Sequence, residues 1–213
     1  MYQKPSKEDL LRIVTQLGRE INPEFYLDDV DVEIYFRVFL YFIQDPQFER
    51  IDGSYKLSKG LRVEGSVGVG KTMLFQVFKR ILKEYLRTES FAFFSPIEVS
   101  GKFSTDGFDV ISSHSTNCFH LVNGQIDKTK PKTRLYDDLG CESQTTSHFG
   151  DKENVMEKIL LLRYDMYKSF GMKTHITTNL NSKEIEMRYG CRVRSRLKEM
   201  TNAIYYPGED RRK

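Results

Sequence analysis

An α/β fold built on a phosphate-binding loop is what this 213-residue sequence predicts, and three stretches carry the prediction. Gly65-Ser66-Val67-Gly68-Val69-Gly70-Lys71-Thr72 fits G-x-x-x-x-G-K-[ST] at every fixed position. Residues 61–64 before it are short and partly apolar, like a strand. Met73, Leu74, Phe75, Val77, Phe78, Ile81 and Leu82 after it recur at helical spacing. Further on, residues 134–140 read as a strand ending in Asp137-Asp138, and residues 174–180 read as a β-branched strand with Asn179 at its C-terminal end.

The loop's composition has a chemical reason. Small residues let consecutive backbone N–H groups close around a phosphate, the Lys71 ammonium reaches its outer oxygens, and the Thr72 hydroxyl ligates Mg²⁺. Paired acids at a strand end downstream of such a loop can hold the metal through water (Asp137) and activate an attacking water (Asp138). Asp-Asp before glycine is also an ordinary turn. Asn179 lies at the strand end that faces ligand in open α/β sheets, yet from local sequence it is equally the start of a turn.

Length and composition fit one substantial core with a small appendage. The chain is 39% hydrophobic with 15 Phe and 12 Tyr, which excludes a disordered protein. No apolar run reaches membrane-span length and residues 1–6 show no signal-peptide pattern, so a cytoplasmic location without membrane contact is expected. Cys118, Cys141 and Cys191 are scattered and odd in number, as reduced thiols are. A net charge of +3 is too small to establish a nucleic-acid partner.

The expected elements follow in order. Ser6 starts a helix that buries Leu10, Leu11, Ile13, Val14 and Leu17 and stops at Gly18; Asn22-Pro23 breaks the chain. A second helix runs from about Asp29 to Gln44 with Tyr35, Phe36, Phe39, Tyr41 and Phe42 packed inward or presented to a partner, inward being the expectation. Residues 91–94 read as a buried strand and Ser95-Pro96-Ile97-Glu98 as a capping box. Residues 104–132 read as mostly loops. His114, Cys118 and His120 form H-x3-C-x-H there, but no second pair of ligands matches and a metal is not expected. Residues 151–154 open another helix, which ends near Gly171. The C-terminal segment carries Arg188, Arg192, Arg194, Arg196, Arg211, Arg212 and Lys213, of which Arg192 and Arg196 share a helix face.

Taken together, the phosphate loop, residues 134–140, Thr177-Thr178-Asn179-Leu180, residues 188–197 and Gly208-Glu209-Asp210-Arg211-Arg212 resemble the consecutive signatures of DnaC/IstB-type AAA+ ATPases over about residues 58–213. That family includes replicative helicase loaders and transposition helper ATPases. The resemblance implies a P-loop NTPase core (58–213) after a short helical N-terminal extension (1–57), with a five-stranded parallel sheet sandwiched by helices. With so few residues after the last expected strand, 202–206, no C-terminal helical lid is expected. By family role, residues 65–72 bind ATP, Thr72 and Asp137 hold Mg²⁺, and Asp138 completes the Walker B pair. Asn179 matches sensor 1, Arg192 the arginine finger, and Arg212 or Arg211 sensor 2. Arg134 and Tyr136 stand where aliphatics are usual. The implied partners are further copies of the chain in an ATP-dependent homo-oligomer, DNA (single-stranded rather than double), and a replicative helicase or transposase. A small-molecule P-loop kinase and a non-hydrolysing ATP-dependent DNA-binding adaptor are the competing readings.

Overall fold

The computed structural model describes residues 6–212, so the readings on residues 1–5 and Lys213 lie outside it. In chain order it holds α1 (Lys7–Ile21), α2 (Asp29–Phe42), α3 (Gln47–Ile51), β1 (Gly60–Glu64) and α4 (Lys71–Arg80), which runs into a wider π-type turn (Ile81–Leu86). Then come β2 (Ala92–Phe94), α5 (Pro96–Asp106), α6 (Phe108–His114), β3 (Phe119–Val122), β4 (Gln125–Pro131) and β5 (Arg134–Leu139). The remainder is β6 (Thr146–His148), β7 (Asp151–Glu153), α7 (Val155–Phe170), β8 (Thr174–Thr178), α8 (Ser182–Met200) and β9 (Thr201–Tyr205). The chain divides into two compact units, one of residues 1–57, 66–90 and 206–213, the other of 58–65 and 91–205.

The first unit is organised on α4. Ser6 caps α1 by accepting the Asp9 N–H at 3.0 Å, and Leu10, Val14 and Leu17 are buried. The aromatics of α2 pack inward: Tyr35 and Phe42 lie 5.8 and 5.2 Å from the Phe78 ring of α4. Gly18 does not end α1. The helix continues to Ile21, and Gly18 is the point where the Phe25 ring crosses it, since a Cβ there would sit 2.2 Å from the ring. After β9, residues 206–212 contain no helix.

The second unit holds the five-stranded sheet in the order β2-β5-β8-β1-β9, every pairing parallel. This is the flanked parallel α/β sheet the sequence predicts. All five residues of β8, the central strand, are buried, as a strand covered on both faces requires. Strand β2 is instead a half-exposed edge strand, with Phe91 just before it buried. Tyr136 fits β5 because its phenol meets the buried His114 ring at 3.1 Å, and Arg134 lies over the Phe94 ring at 4.4 Å.

Three expectations on this unit are corrected. Ser95 occupies the N-cap of α5 and Pro96 its first turn, but no side-chain capping bond forms. Residues 104–132 are ordered as the end of α5, α6 and the β3–β4 hairpin, whose Asn123-Gly124 turn has two left-handed residues (φ +52° and +77°), the geometry that a two-residue hairpin demands. Residues 151–153 pair with β6, and α7 starts after them with Asn154 as its cap.

Two of the histidines in this unit, His114 and His175, are buried, and burial, with nearby cationic residues adding to it, holds both imidazoles neutral with pKa values of about 3. His175 Nδ1 accepts the Leu61 N–H at 3.0 Å, so protonation would break a contact between β8 and β1. Because the folded pKa lies below the ordinary 6.5, the unfolded chain takes up protons first as pH falls. Stability is therefore full above about pH 6.5 and lost progressively below it, by at most about 2.7 kcal/mol per pH unit for two protons. Urea unfolding midpoints should fall between about pH 7 and about pH 5. A midpoint flat over that range would show that neither histidine is held neutral.

Candidate functional site

Strand β1 runs straight into the glycine-rich loop, where the Gly65 N–H donates to the Thr178 carbonyl at 3.3 Å. Gly68 (φ +79°) and Gly70 (φ +108°) take left-handed backbone, which only glycine adopts at no steric cost. Gly70 is the N-cap of α4 and makes no side-chain capping bond. Lys71 is buried, and its ammonium donates to the Ser66 carbonyl at 2.7 Å across the loop. An anion at this helix start would meet the positive end of the helix dipole and the Lys71 ammonium. The residues present fit a phosphate group, with Thr72 in the first turn of α4 as the hydroxyl.

The C-terminal segment lies on the same loop. The Arg211 N–H donates to the Gly68 carbonyl at 3.3 Å, and the Asp210 carboxylate occupies the space a Gly68 side chain would need. Arg211 is then fixed by the start of α2: its guanidinium donates to Asp31 at 2.7 Å and to Asp28 at 2.8 Å. Asp28 and Asp31 form the reciprocal capping box of α2, and buried Asp31 also accepts the Tyr206 hydroxyl. Arg212 follows with an exposed side chain. Of the two arginines left open by the sequence, Arg211 is committed to α2 and Arg212 faces solvent.

In the second unit the acid end of β5 is stitched to β8. The register of the two strands slips between Tyr136 and Leu139, and Asp138 adopts φ +59°. The Thr177 hydroxyl donates to Asp137 at 2.7 Å and accepts the Asp138 N–H at 2.8 Å. Thr178 donates to the Leu139 carbonyl at 2.7 Å. Asn179, exposed, follows directly, so this unit brings Asp137, Asp138 and Asn179 to the C-terminal ends of adjacent parallel strands. Sequence reasoning had not assigned Thr177 or Thr178 a role. Their signal is two consecutive hydroxyl residues closing a β-branched central strand.

Helix α8 breaks at Gly190 (φ +84°, ψ 161°), which separates the carrier of Arg188 and Tyr189 from that of the later arginines. Arg192 is exposed, Arg194 pairs with Glu186 at 3.3 Å, and Arg196 lies over the Tyr164 ring at 4.9 Å. Arg196 is half-buried over that ring, whereas the Arg192 side chain is exposed. Of the histidines and cysteine within residues 114–120, His114 turns to Tyr136, while Cys118 Sγ meets the Lys132 carbonyl at 3.7 Å.

No family model matches the sequence, and no curated protein matches it either. Solved structures do. The crystal structure of the DnaC helicase loader aligns with 87% of this chain and 95% of its own at 16% identity, with a TM-score of 0.51. A proposed primosome component from Streptococcus pyogenes serotype M3 aligns over 94% and 98% at 15% identity and a TM-score of 0.56. DnaI aligns over 91% and 93% at 21% identity and a TM-score of 0.55. The chain has the fold of the DnaC-type helicase loaders. At these identities the agreement is one of fold, and it matches the resemblance carried by the sequence motifs. Among the described residues no helix is long and apolar enough to cross a membrane.

Replacing Thr177 with Val keeps the β-branched shape and removes the hydroxyl that holds both acids. The Asp138 N–H loses its acceptor, and the fold should lose about 1–3 kcal/mol, read from the urea midpoint. An unchanged midpoint would mean that the hydroxyl does not bear on the strand end.

Proposed function

We propose that the chain is an ATP-binding and ATP-hydrolysing ATPase of the helicase-loader type, working in DNA replication as an ATP-dependent homo-oligomer on single-stranded DNA and a replicative helicase. The observation that supports this most is the acid pair Asp137-Asp138 set beside Asn179 at the ends of neighbouring parallel strands, in a chain whose β1 leads into a phosphate loop with the required left-handed glycines. By role, residues 65–72 hold the triphosphate, with Lys71 on its outer oxygens. Thr72 and Asp137 hold Mg²⁺, which neutralises charge on the transferring phosphoryl group. Asp138 orients and activates water, and Asn179 senses the terminal phosphate. Arg192, exposed beyond the Gly190 break, reaches the nucleotide of a neighbouring copy and stabilises charge on the γ-phosphate. Arg212 is the better candidate for sensor 2, because Arg211 is engaged with Asp28 and Asp31. A transposition helper would use the same chemistry with a transposase as partner.

The test is ATP turnover per subunit against protein concentration, with and without single-stranded DNA. Turnover should rise steeply with both. Lys71→Ala should abolish nucleotide binding measured by calorimetry, whereas Arg192→Ala should bind normally and lose about a thousandfold of assembled turnover. Wild type should release phosphate and Asp138→Asn should bind without releasing it, a result that would exclude a non-hydrolysing adaptor. A flat, DNA-independent rate untouched by Arg192→Ala would overturn the shared-site reading and favour the small-molecule kinase.

A further inference from the structure

Glu142 is a buried acid that the site described above does not use. Its side chain is 1% exposed. Its carboxylate accepts the Gly140 N–H at 3.0 Å and the Tyr189 hydroxyl, and lies 3.7 Å from the Arg188 guanidinium, which also donates to the Glu142 main-chain carbonyl. The Arg188 carbonyl in turn accepts the side-chain amides of Asn154 at 3.2 Å and Gln144 at 3.4 Å. On one side of Glu142 the chain leads back through two left-handed residues, Gly140 (φ +109°) and Asp138 (φ +59°), to the acid end of β5. On the other side lies the last turn of α8 before the Gly190 break, with Arg192 just beyond it. Gly140 leaves no slack in the first connection, since a Cβ there would meet Leu180, the residue after Asn179, at 2.6 Å.

We propose that Glu142 is a positioning residue which couples the acid end of β5 to the direction of Arg192, so that a change at Asp138 is passed to the arginine offered to a neighbouring copy. This rests on the reading of Arg192 as a residue acting in trans. A buried carboxylate is costly to desolvate and is a poor source of net stability, so hydrophobic residues would serve better if packing were its only task. The coupling is short and stiff. It passes from Asp138 through Gly140 and the carboxylate to Arg188 and Tyr189, and a rigid helical turn ends at the one break in α8. Displacement of the loop must move that turn or break charge-assisted bonds.

Mixed assemblies test it. Subunits carrying the near-isosteric Asp138→Asn bind nucleotide and so enter the assembly, hydrolyse nothing themselves and still present Arg192, so wild-type turnover in a mixture reads the donated arginine. Donors carrying Asp138→Asn with Glu142→Gln should support about tenfold less wild-type turnover than Asp138→Asn donors, at equal incorporation and equal melting temperature. Asp138→Asn with Tyr189→Phe, which removes one donor and keeps the ring, should shift turnover the same way and serves if the glutamine variant does not fold. Donors with Glu142→Gln that match Asp138→Asn donors, while Asp138→Asn with Arg192→Ala donors fail, would overturn the coupling and leave the Arg192 role standing. Asp138→Asn with Arg192→Ala donors that support full turnover would remove that role and the coupling with it.

Discussion

One hydroxyl group, that of Thr177, holds the acid end of the sheet. It donates to Asp137 and accepts from the backbone of Asp138, so it satisfies a carboxylate and an N–H that the left-handed turn of Asp138 withdraws from the β-ladder. Ladder pairing between β5 and β8 breaks between Tyr136 and Leu139. Without a replacement acceptor, the strand end would carry a buried unpaired donor, which proteins rarely tolerate. Thr178 repeats the device one residue on with the Leu139 carbonyl. The left-handed backbone at Asp138 is thus maintained by side chains of the next strand.

This explains which parts of the site were legible. The phosphate loop and the paired acids are fixed by chemistry that only a few residue types perform, so sequence shows them directly. The threonines act through a register slip, which no local pattern announces. The same distinction runs through the fold. Leu10, Val14 and Leu17 declare α1 by spacing, but Gly18 was misjudged as a stop because its reason is the ring of Phe25 across the helix. Asn123-Gly124 carries a turn signal, yet its flanks, from Phe119 to Pro131, are too polar and exposed on β4 to read as strands. Residues 151–153 look like a helix start because they are charged, and pairing with β6 overrides that preference. Ser95 and Glu98 have capping-box spacing without the side-chain bond, because spacing permits such a bond and does not enforce it.

The first unit adds what the motifs do not mention. Its aromatic helix α2 packs on α4 through Tyr35, Phe42 and Phe78, so the helix that starts at Lys71 is buttressed by the N-terminal segment. At the other end of α2, Asp28 and Asp31 hold the segment that lies along Gly68. A phosphate loop must present its N–H groups in a fixed arc to be useful, and here both its helix and its outer edge are secured by residues far away in sequence.

Asp31 and Glu142 share one construction, although they lie in different units. Each is a buried carboxylate that accepts a backbone N–H, a tyrosine hydroxyl and the approach of an arginine. In both, burial first and the neighbouring carboxylate among the further causes push the phenol pKa upward, so Tyr206 and Tyr189 stay protonated and remain donors. Such a triad is stiff because the carboxylate holds three donors at once, and it ties residues that local structure alone would leave independent. Asp31 ties α2 to the segment beside Gly68, and Glu142 ties the loop after Asp138 to the turn before Arg192. Net stabilisation from buried charge is small. What the two triads supply is position, of the segment beside Gly68 in one unit and of the turn before Arg192 in the other.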